Sequence, residues 1–365
     1  MNATMDKNEI LGWLRETKPE RLEELWRSAD ETRRSQVGDA VHLRGLVEIS
    51  NHCARQCAYC GLRAGNLSLG RYRMDADEIF FAALQAVKFG YGTLVLQAGE
   101  DYQITADWMS GVIRQIKAET PLAVTLSLGE RTDDELTAWR EADANRYLLR
   151  FETSDRKLFE AIHPPLGNRP CDRVKILRRL KALGFEAGSG IMVGIPGQTY
   201  ESVANDIALF RELDLDMIGI GPFIPHPATP LGNGNKISPA VNGEQVPNTE
   251  LMVYKAVALT RLVRLDANIP ATTALATINK KNGRELGLQR GANVFMPNLT
   301  PLKYRRLYEI YPAKACIEEA GNACNSCLAT RIRTLGRHVG RGPGGRRDRN
   351  FTPSAPATTC EVCHA

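Results

Sequence analysis

The sequence contains no run of about 18 apolar residues, so no membrane-spanning helix and no membrane partner are expected. Its first twenty residues, MNATMDKNEILGWLRETKPE, mix polar and charged side chains and lack the apolar centre of a signal peptide. Export is therefore not expected, and a cytoplasmic location is. Net charge is also scarce. Lys and Arg exceed Asp and Glu by only five over 365 residues, and residues 331–349, with seven arginines against one aspartate, more than account for that excess. A protein that coats nucleic acid would be basic over far more of its length, so no nucleic-acid partner is expected. The arginine-rich segment reads either as a solvated basic tail or as a docking site for an acidic partner.

What the chain does have is cysteine. Nine cysteines without an export signal argue for metal ligation or redox chemistry rather than for disulfides. Eight of them fall into three clusters. The ninth, Cys171, reads as a small buried apolar residue.

The pattern along the chain gives the fold class. Residues 1–41 read as a helical cap, with a loose stripe of Leu22, Leu25, Trp26, Val37 and Val41. From residue 42, short β-prone runs alternate with longer amphipathic ones. The short runs are HLRGLVEIS, TLVLQAG, AVTLSLG, RYLLRFE, GSGIMVG, MIGIGPF, NIPATTAL and NVFMPN. Helices are expected at Asp75–Phe89, opened by an Asp75/Glu78 capping box and stopped by Gly90, at Asp172–Leu183, stopped by Gly184, and at 201–213, 249–264 and 283–290. Eight strands alternating with helices predict an α/β chain folded as a (β/α)8 TIM-type barrel over residues 42–315. An open doubly wound sheet is the alternative. Residues 316–351 would form a C-terminal extension with the second cysteine cluster and the basic segment, and 352–365 a disordered tail. In a barrel, functional residues gather at the C-terminal ends of strands. Gln97, Gly99 and Glu100 follow the second run, Thr125 and Ser127 lie on the third, and Arg150 and Glu152 end the fourth.

Directly after the first run stands Cys53-Ala-Arg-Gln-Cys57-Ala-Tyr-Cys60. A cubane iron–sulfur cluster normally takes four thiolates. A loop supplying three leaves one iron open, where the amino and carboxylate groups of a methionine moiety can bind. A zinc site completed by His52, or a structural cluster completed by a distant cysteine, are the alternatives.

The C-x3-C-x2-C spacing, with Tyr59 before the last cysteine, is similar to the signature of the radical S-adenosylmethionine (SAM) superfamily. The resemblance implies a SAM-binding 4Fe–4S cluster on Cys53, Cys57 and Cys60, with Tyr59 against the adenine. It implies that Gln97, Gly99 and Glu100 belong to a motif holding the SAM amino group, and that Met192, in Gly190–Gly194, lies near ribose and adenine. From about Arg44 to Phe351 the chain further resembles the HydE family, the radical SAM maturases of FeFe-hydrogenase, within the biotin synthase-like branch. The stretches that carry this are 57–63, 71–74, 96–101, 124–129, 146–150, 219–227, 269–273 and 291–294. Residue by residue, the resemblance implies SAM contacts from Arg150, Glu152 and Arg173. It implies a substrate space lined by Arg44, Gln97, Thr125, Ser127, Thr272, Thr273, Tyr308 and Tyr311. Guanidinium groups suit carboxylates, and hydroxyls fix orientation. The family's reaction is reductive SAM cleavage to a 5′-deoxyadenosyl radical that attacks the sulfur of a small cysteine-derived iron carbonyl/cyanide substrate. Its partners are other hydrogenase maturation proteins and an electron donor. Sister radical SAM enzymes, methylornithine synthase or biotin synthase, and a non-catalytic iron–sulfur scaffold are the competing functions.

Cys316, Cys324 and Cys327, spaced C-x7-C-x2-C, suit a second iron–sulfur cluster of 2Fe–2S or 4Fe–4S type, with zinc as the alternative. Cys360, Cys363 and His364 form the C-x-x-C-H pattern of c-type haem attachment, which would need an exported chain. A tail without an essential role is expected there.

Overall fold

Eight segments of the chain run parallel and close into a ring. The computed structural model describes residues 5–167, 171–234, 244–315 and 321–346, with the backbone alone for 321–327. The expected tail at 352–365, with Cys360, Cys363 and His364, lies outside the described residues, as does Cys316. The strands are β1 (Ala40–Ser50), β2 (Thr93–Ala98), β3 (Ala123–Ser127), β4 (Arg146–Leu148), β5 (Glu186–Val193), β6 (Met217–Pro222), β7 (Val294–Phe295) and β8 (His338–Val339). Hydrogen bonding runs continuously from β6 through β5, β4, β3 and β2 to β1 and β7, always parallel. Residues 268–271 fill the eighth place. Asn268 bridges Met217 on β6, and Pro270 bridges Val294 on β7, which closes the barrel.

The run NIPATTAL was expected as one strand, and only its first half is extended. Thr272 instead caps the helix Thr273–Ile278, its hydroxyl accepting from Leu275 N. A threonine that can satisfy an orphan N–H favours the helix start over further extension. Elsewhere the local signals hold. Asp75 and Glu78 form a reciprocal capping box on the helix Ala76–Lys88, and Asp172 caps Arg173–Ala182. Gly90 and Gly184 stop these helices with positive φ.

β1 shows why the strands are so apolar. Val41, Leu43, Val47 and Ile49 are buried outward under the helices, while Arg44, Leu46 and Glu48 face the barrel cavity. The helices Lys7–Arg15 and Pro19–Val37 pack outside the ring, against Tyr200–Glu212 and Glu250–Val263. Buried Lys255 ties them down by donating to the carbonyls of Leu14 and Glu16.

The arginine-rich segment is not a solvated tail over its described part. β8 pairs with the start of β1, and the chain then crosses the N-terminal mouth of the barrel. Pro343 O accepts from Thr93 Oγ1 and Arg146, and Gly344 O from Arg44 and Asn268. Arg346 bonds Asp266 at 2.6 Å and Asp216 at 3.0 Å. A side chain at Gly92 would meet Gly342 O at 1.7 Å, so the plug depends on that glycine. Arg331 pairs with Glu285, and Arg337 donates to the carbonyls of Leu288 and Ala292.

Arg146 joins β4, β5, β2 and this plug, because it pairs with Glu186 and donates to Thr93 and Pro343 O. Replacing it with methionine removes the buried ion-pair partner of Glu186. Arg146→Met is expected to cost about 3–5 kcal/mol in chemical denaturation.

Candidate active site

The cysteine loop lies across the C-terminal mouth, tied at each end to a different element. Ala54 N donates to Glu100 O, Ala58 N to Ile162 O and Gly61 N to Ile310 O. Arg71 gathers the carbonyls of Asn51, Leu62, Arg63 and Asn66. Two glycines allow the close packing. A Cβ at Gly99 would meet His52 O at 2.3 Å and Cys53 Cβ at 2.8 Å, and one at Gly61 would meet Glu309 O at 2.2 Å.

Cys53, Cys57 and Cys60 are free thiols that open into one cavity of about 340 Å³. Burial pushes all three thiols up, that of Cys60 to about 12. Such thiols are kept protonated until a metal replaces the proton. His52, the fourth zinc ligand considered above, is absent from the cavity wall.

The other expected residues meet the thiols in this cavity. Tyr59 packs on a cluster that includes Met192, Leu158 and Phe223, an apolar shelf beside Cys60. Arg150 forks onto Glu152, with Nε 3.1 Å from both carboxylate oxygens, and donates to Ile191 O. Glu152 has φ +62°, a conformation that costs a non-glycine residue energy and clusters at functional sites. Deeper in, Gln97 Nε2 donates to Tyr308 OH at 3.1 Å. Ser127, Thr273 and Tyr311 also line the wall, and buried Thr125 Oγ1 has no hydrogen-bond partner among the described residues. Arg44 lies at the floor, donating to Met217 Sδ and Gly344 O. Two hydroxyls are already used. Thr272 caps its helix and donates to Ile220 O, and Thr273 accepts from Arg284.

Arg173 is brought to the cavity, but protein groups surround its guanidinium. It donates to Glu130, to Arg150 O and to Glu100, and it contacts His163 Nε2 at 3.0 Å. Arg55 completes the network through Glu100 at 2.6 Å and Glu130 at 2.7 Å. Glu100 therefore turns its carboxylate toward arginines. Burial pushes Glu130 up, yet its contact with His163, hydrogen bonds from Cys171 and Arg173 and the charge of Arg173 hold it well below the usual carboxylate range. Cys171 is not merely apolar filling, since its thiol donates to Glu130 at 2.7 Å. Glu130, His163 and Cys171 lie close enough together to share a metal ion, but two guanidinium groups on the same carboxylate oppose a cation there.

Three cysteines at the mouth of a parallel barrel, beside an Arg–Glu pair and an aromatic shelf, match what the comparisons find. Residues 47–210 match the Radical SAM superfamily. The chain is 47% identical over 325 residues to the [FeFe] hydrogenase maturase subunit HydE of Thermotoga maritima, covering 89% of each chain. The chain belongs to the HydE family of radical SAM enzymes. It is also 28% identical over 277 residues to 3-methylornithine synthase of Methanosarcina acetivorans, covering 75% of this chain and 74% of that protein. The crystal structure of methylornithine synthase (PylB) superposes with a TM-score of 0.77 at 23% identity, covering 96% of this chain and 97% of that one, which shows the shared fold.

A radical SAM enzyme carries a 4Fe–4S cluster and SAM, and this HydE-family cavity fits both. It offers three thiols rather than four, with an Arg–Glu pair and an apolar shelf alongside. The side chains of Cys324 and Cys327 and the whole of Cys316 lie outside the described residues. No helix among the described residues is long and apolar enough to cross a membrane. The sequence reading missed Arg55, Glu130, His163, Glu48 and Lys314. Glu130 could have been found, since it follows the third strand run as Glu100 follows the second. Arg55 stands inside the cysteine motif itself. His163 and Lys314 carry no such signal.

Gly99→Ala is expected to push the cysteine loop off the end of β2 and weaken retention of iron against a chelator by roughly 10–100-fold. Behind Glu152, buried Asp206 accepts from Ser154 N and Oγ and sits at a pKa of about 7, raised by burial. Its pKa is higher folded than unfolded, so the folded chain binds the proton more tightly. Stability should fall as pH rises from about 4 to about 7. Denaturation of Asp206→Asn across that range should show a flatter slope.

Proposed function

We propose that the protein acts in FeFe-hydrogenase maturation, cleaving SAM reductively at a 4Fe–4S cluster held by Cys53, Cys57 and Cys60. The observation that carries this reading is the convergence of three thiols, the Arg150–Glu152 pair and the Tyr59–Met192 shelf on one cavity. The bound cluster and SAM supply an electron and a carbon–sulfur bond whose cleavage releases a 5′-deoxyadenosyl radical. The chain positions these groups. Tyr59 and Met192 would flank the adenine, Glu152 would take a polar group of SAM, and Arg150 holds Glu152 in place. The backbone at Gln97–Glu100 would receive the amino group.

The substrate space lies below, between Gln97, Thr125, Tyr308 and Arg44. A buried hydroxyl without a partner at Thr125 fits a polar ligand. The resemblance to HydE suggests a cysteine-derived iron carbonyl/cyanide species whose sulfur is attacked by the radical. The 47% identity to HydE, against 28% to 3-methylornithine synthase, supports this over lysine rearrangement. Cys316, Cys324 and Cys327 would hold an auxiliary iron–sulfur cluster. Other maturation proteins and an electron donor would be the partners.

Anaerobic reconstitution tests this. SAM should perturb the spectrum of the reduced cluster in the wild type and in Cys316→Ala, but not in Cys57→Ala. Formation of 5′-deoxyadenosine should fall to background in Cys57→Ala. If reduced wild-type enzyme with SAM and substrate forms neither 5′-deoxyadenosine nor an adenosyl thioether, the reading is wrong.

A further inference from the structure

His163 ends the helix Arg156–Ile162 and is 1% exposed. Its Nδ1 stands 3.0 Å from Cys57 Sγ. Its Nε2 stands 3.0 Å from Arg173 and 3.2 Å from Glu130 Oε1. These contacts decide where the ring carries its proton. A guanidinium group only donates, so the Arg173 contact requires a lone pair on Nε2. Glu130 Oε1 does not need a proton from the imidazole, because it already accepts from Arg173 Nε at 2.9 Å and from the Cys171 thiol at 2.7 Å. The single proton of a neutral imidazole then sits on Nδ1, facing Cys57. A thiolate bound to iron has no proton to give and can only accept. This tautomer suits Cys57 and Arg173 and leaves Glu130 to its donors Arg173 and Cys171.

We infer that His163 is a positioning residue that donates its Nδ1–H to the Cys57 thiolate and raises the reduction potential of the cluster. The inference rests on the proposed placement of the cluster on Cys53, Cys57 and Cys60. A hydrogen bond to a ligating sulfur withdraws electron density and favours the reduced state. The carboxylates of Glu100 and Glu130 lie on the same side and disfavour the extra electron, while Arg55 and Arg173 offset them. Among the described groups around Cys57, the imidazole is the one aimed at the sulfur itself. It would widen the range of low-potential donors able to reduce the cluster.

The test is a redox titration of reconstituted holoenzyme, followed by the electron paramagnetic resonance of the reduced cluster. His163→Phe keeps a planar ring without a donor and should shift the midpoint to more negative potential. His163→Asn places an amide N–H near the position of Nδ1 and should restore most of the shift. A midpoint unchanged in His163→Phe, or an equal shift in both variants, overturns the inference. Should His163→Phe fail to load, pulsed resonance on wild-type enzyme labelled with ¹⁵N-histidine decides. A histidine nitrogen coupled to the reduced cluster, and lost in His163→Asn, supports the inference, and its absence from the wild type overturns it. A wild-type chain that loads no cluster, or one whose cluster survives Cys57→Ala, overturns the proposed function as well.

Discussion

Glu100 is buried at the end of β2, Glu130 is largely covered at the end of β3, and Arg55 and Arg173 are buried between them. None of these charges could stay in the interior alone, because removing one partner of a buried pair leaves the other exposed to a large desolvation penalty. The pairing therefore dictates geometry. Arg55 belongs to the cysteine loop, Glu100 and Glu130 to two strand ends, and Arg173 to the helix that leads into β5. Satisfying four charges fixes four chain segments relative to one another. The arrangement of the thiols follows from it, since Cys53 and Cys57 flank Arg55.

The same network explains why strand ends serve as the working surface. Inside the barrel each strand is pinned by its neighbours on both sides. Beyond the last ladder bond, the backbone can turn toward the cavity. Glu152 does so with a left-handed conformation, held by hydrogen bonds to Gly190 O and from Met192 N. Arg173 donates to Arg150 O, so the charged network also braces the residue that holds Glu152. Ser154, two residues on, is clasped by Asp206 from the helix outside. The strain at Glu152 is thus supported from both inside and outside the barrel.

Much of this could be read from the sequence, because strand runs, capping boxes and stop glycines are local signals. Asp75 with Glu78, and Gly90 after them, act within one turn of helix. The cysteine spacing is local too, and its place after the first strand run put it at the correct mouth of the barrel. NIPATTAL misled because β propensity and helix capping compete over the same threonines, and the tertiary position of Thr272 near Ile220 O decided between them. Cys171 read as apolar because nothing near it in sequence shows that Glu130, 41 residues away, supplies an acceptor. His163 was silent for the same reason, its partner Cys57 being 106 residues distant. Lys314 pairs with Glu48 across 266 residues inside the cavity and was equally hidden.

The arginines show how far residue type alone falls short. Arg146 and Arg150 are four residues apart on one strand segment, a separation of roughly 13 Å along an extended chain. Arg146 points into the lower barrel, pairs with Glu186 and supports the C-terminal plug. Arg150 sits past the last ladder residue, lines the cavity and holds a carboxylate that faces the cysteine loop. The segment 331–346 repeats the lesson at the other end. A segment that reads either as a solvated basic tail or as a docking site for an acidic partner spends Arg337 and Arg346 on closing the barrel floor. With the floor sealed by protein, the polar groups at mid-barrel are left to face whatever enters beneath the thiols. Stability is thus concentrated at one end of the barrel and chemistry at the other, by the same residue type placed on opposite sides of one strand's length.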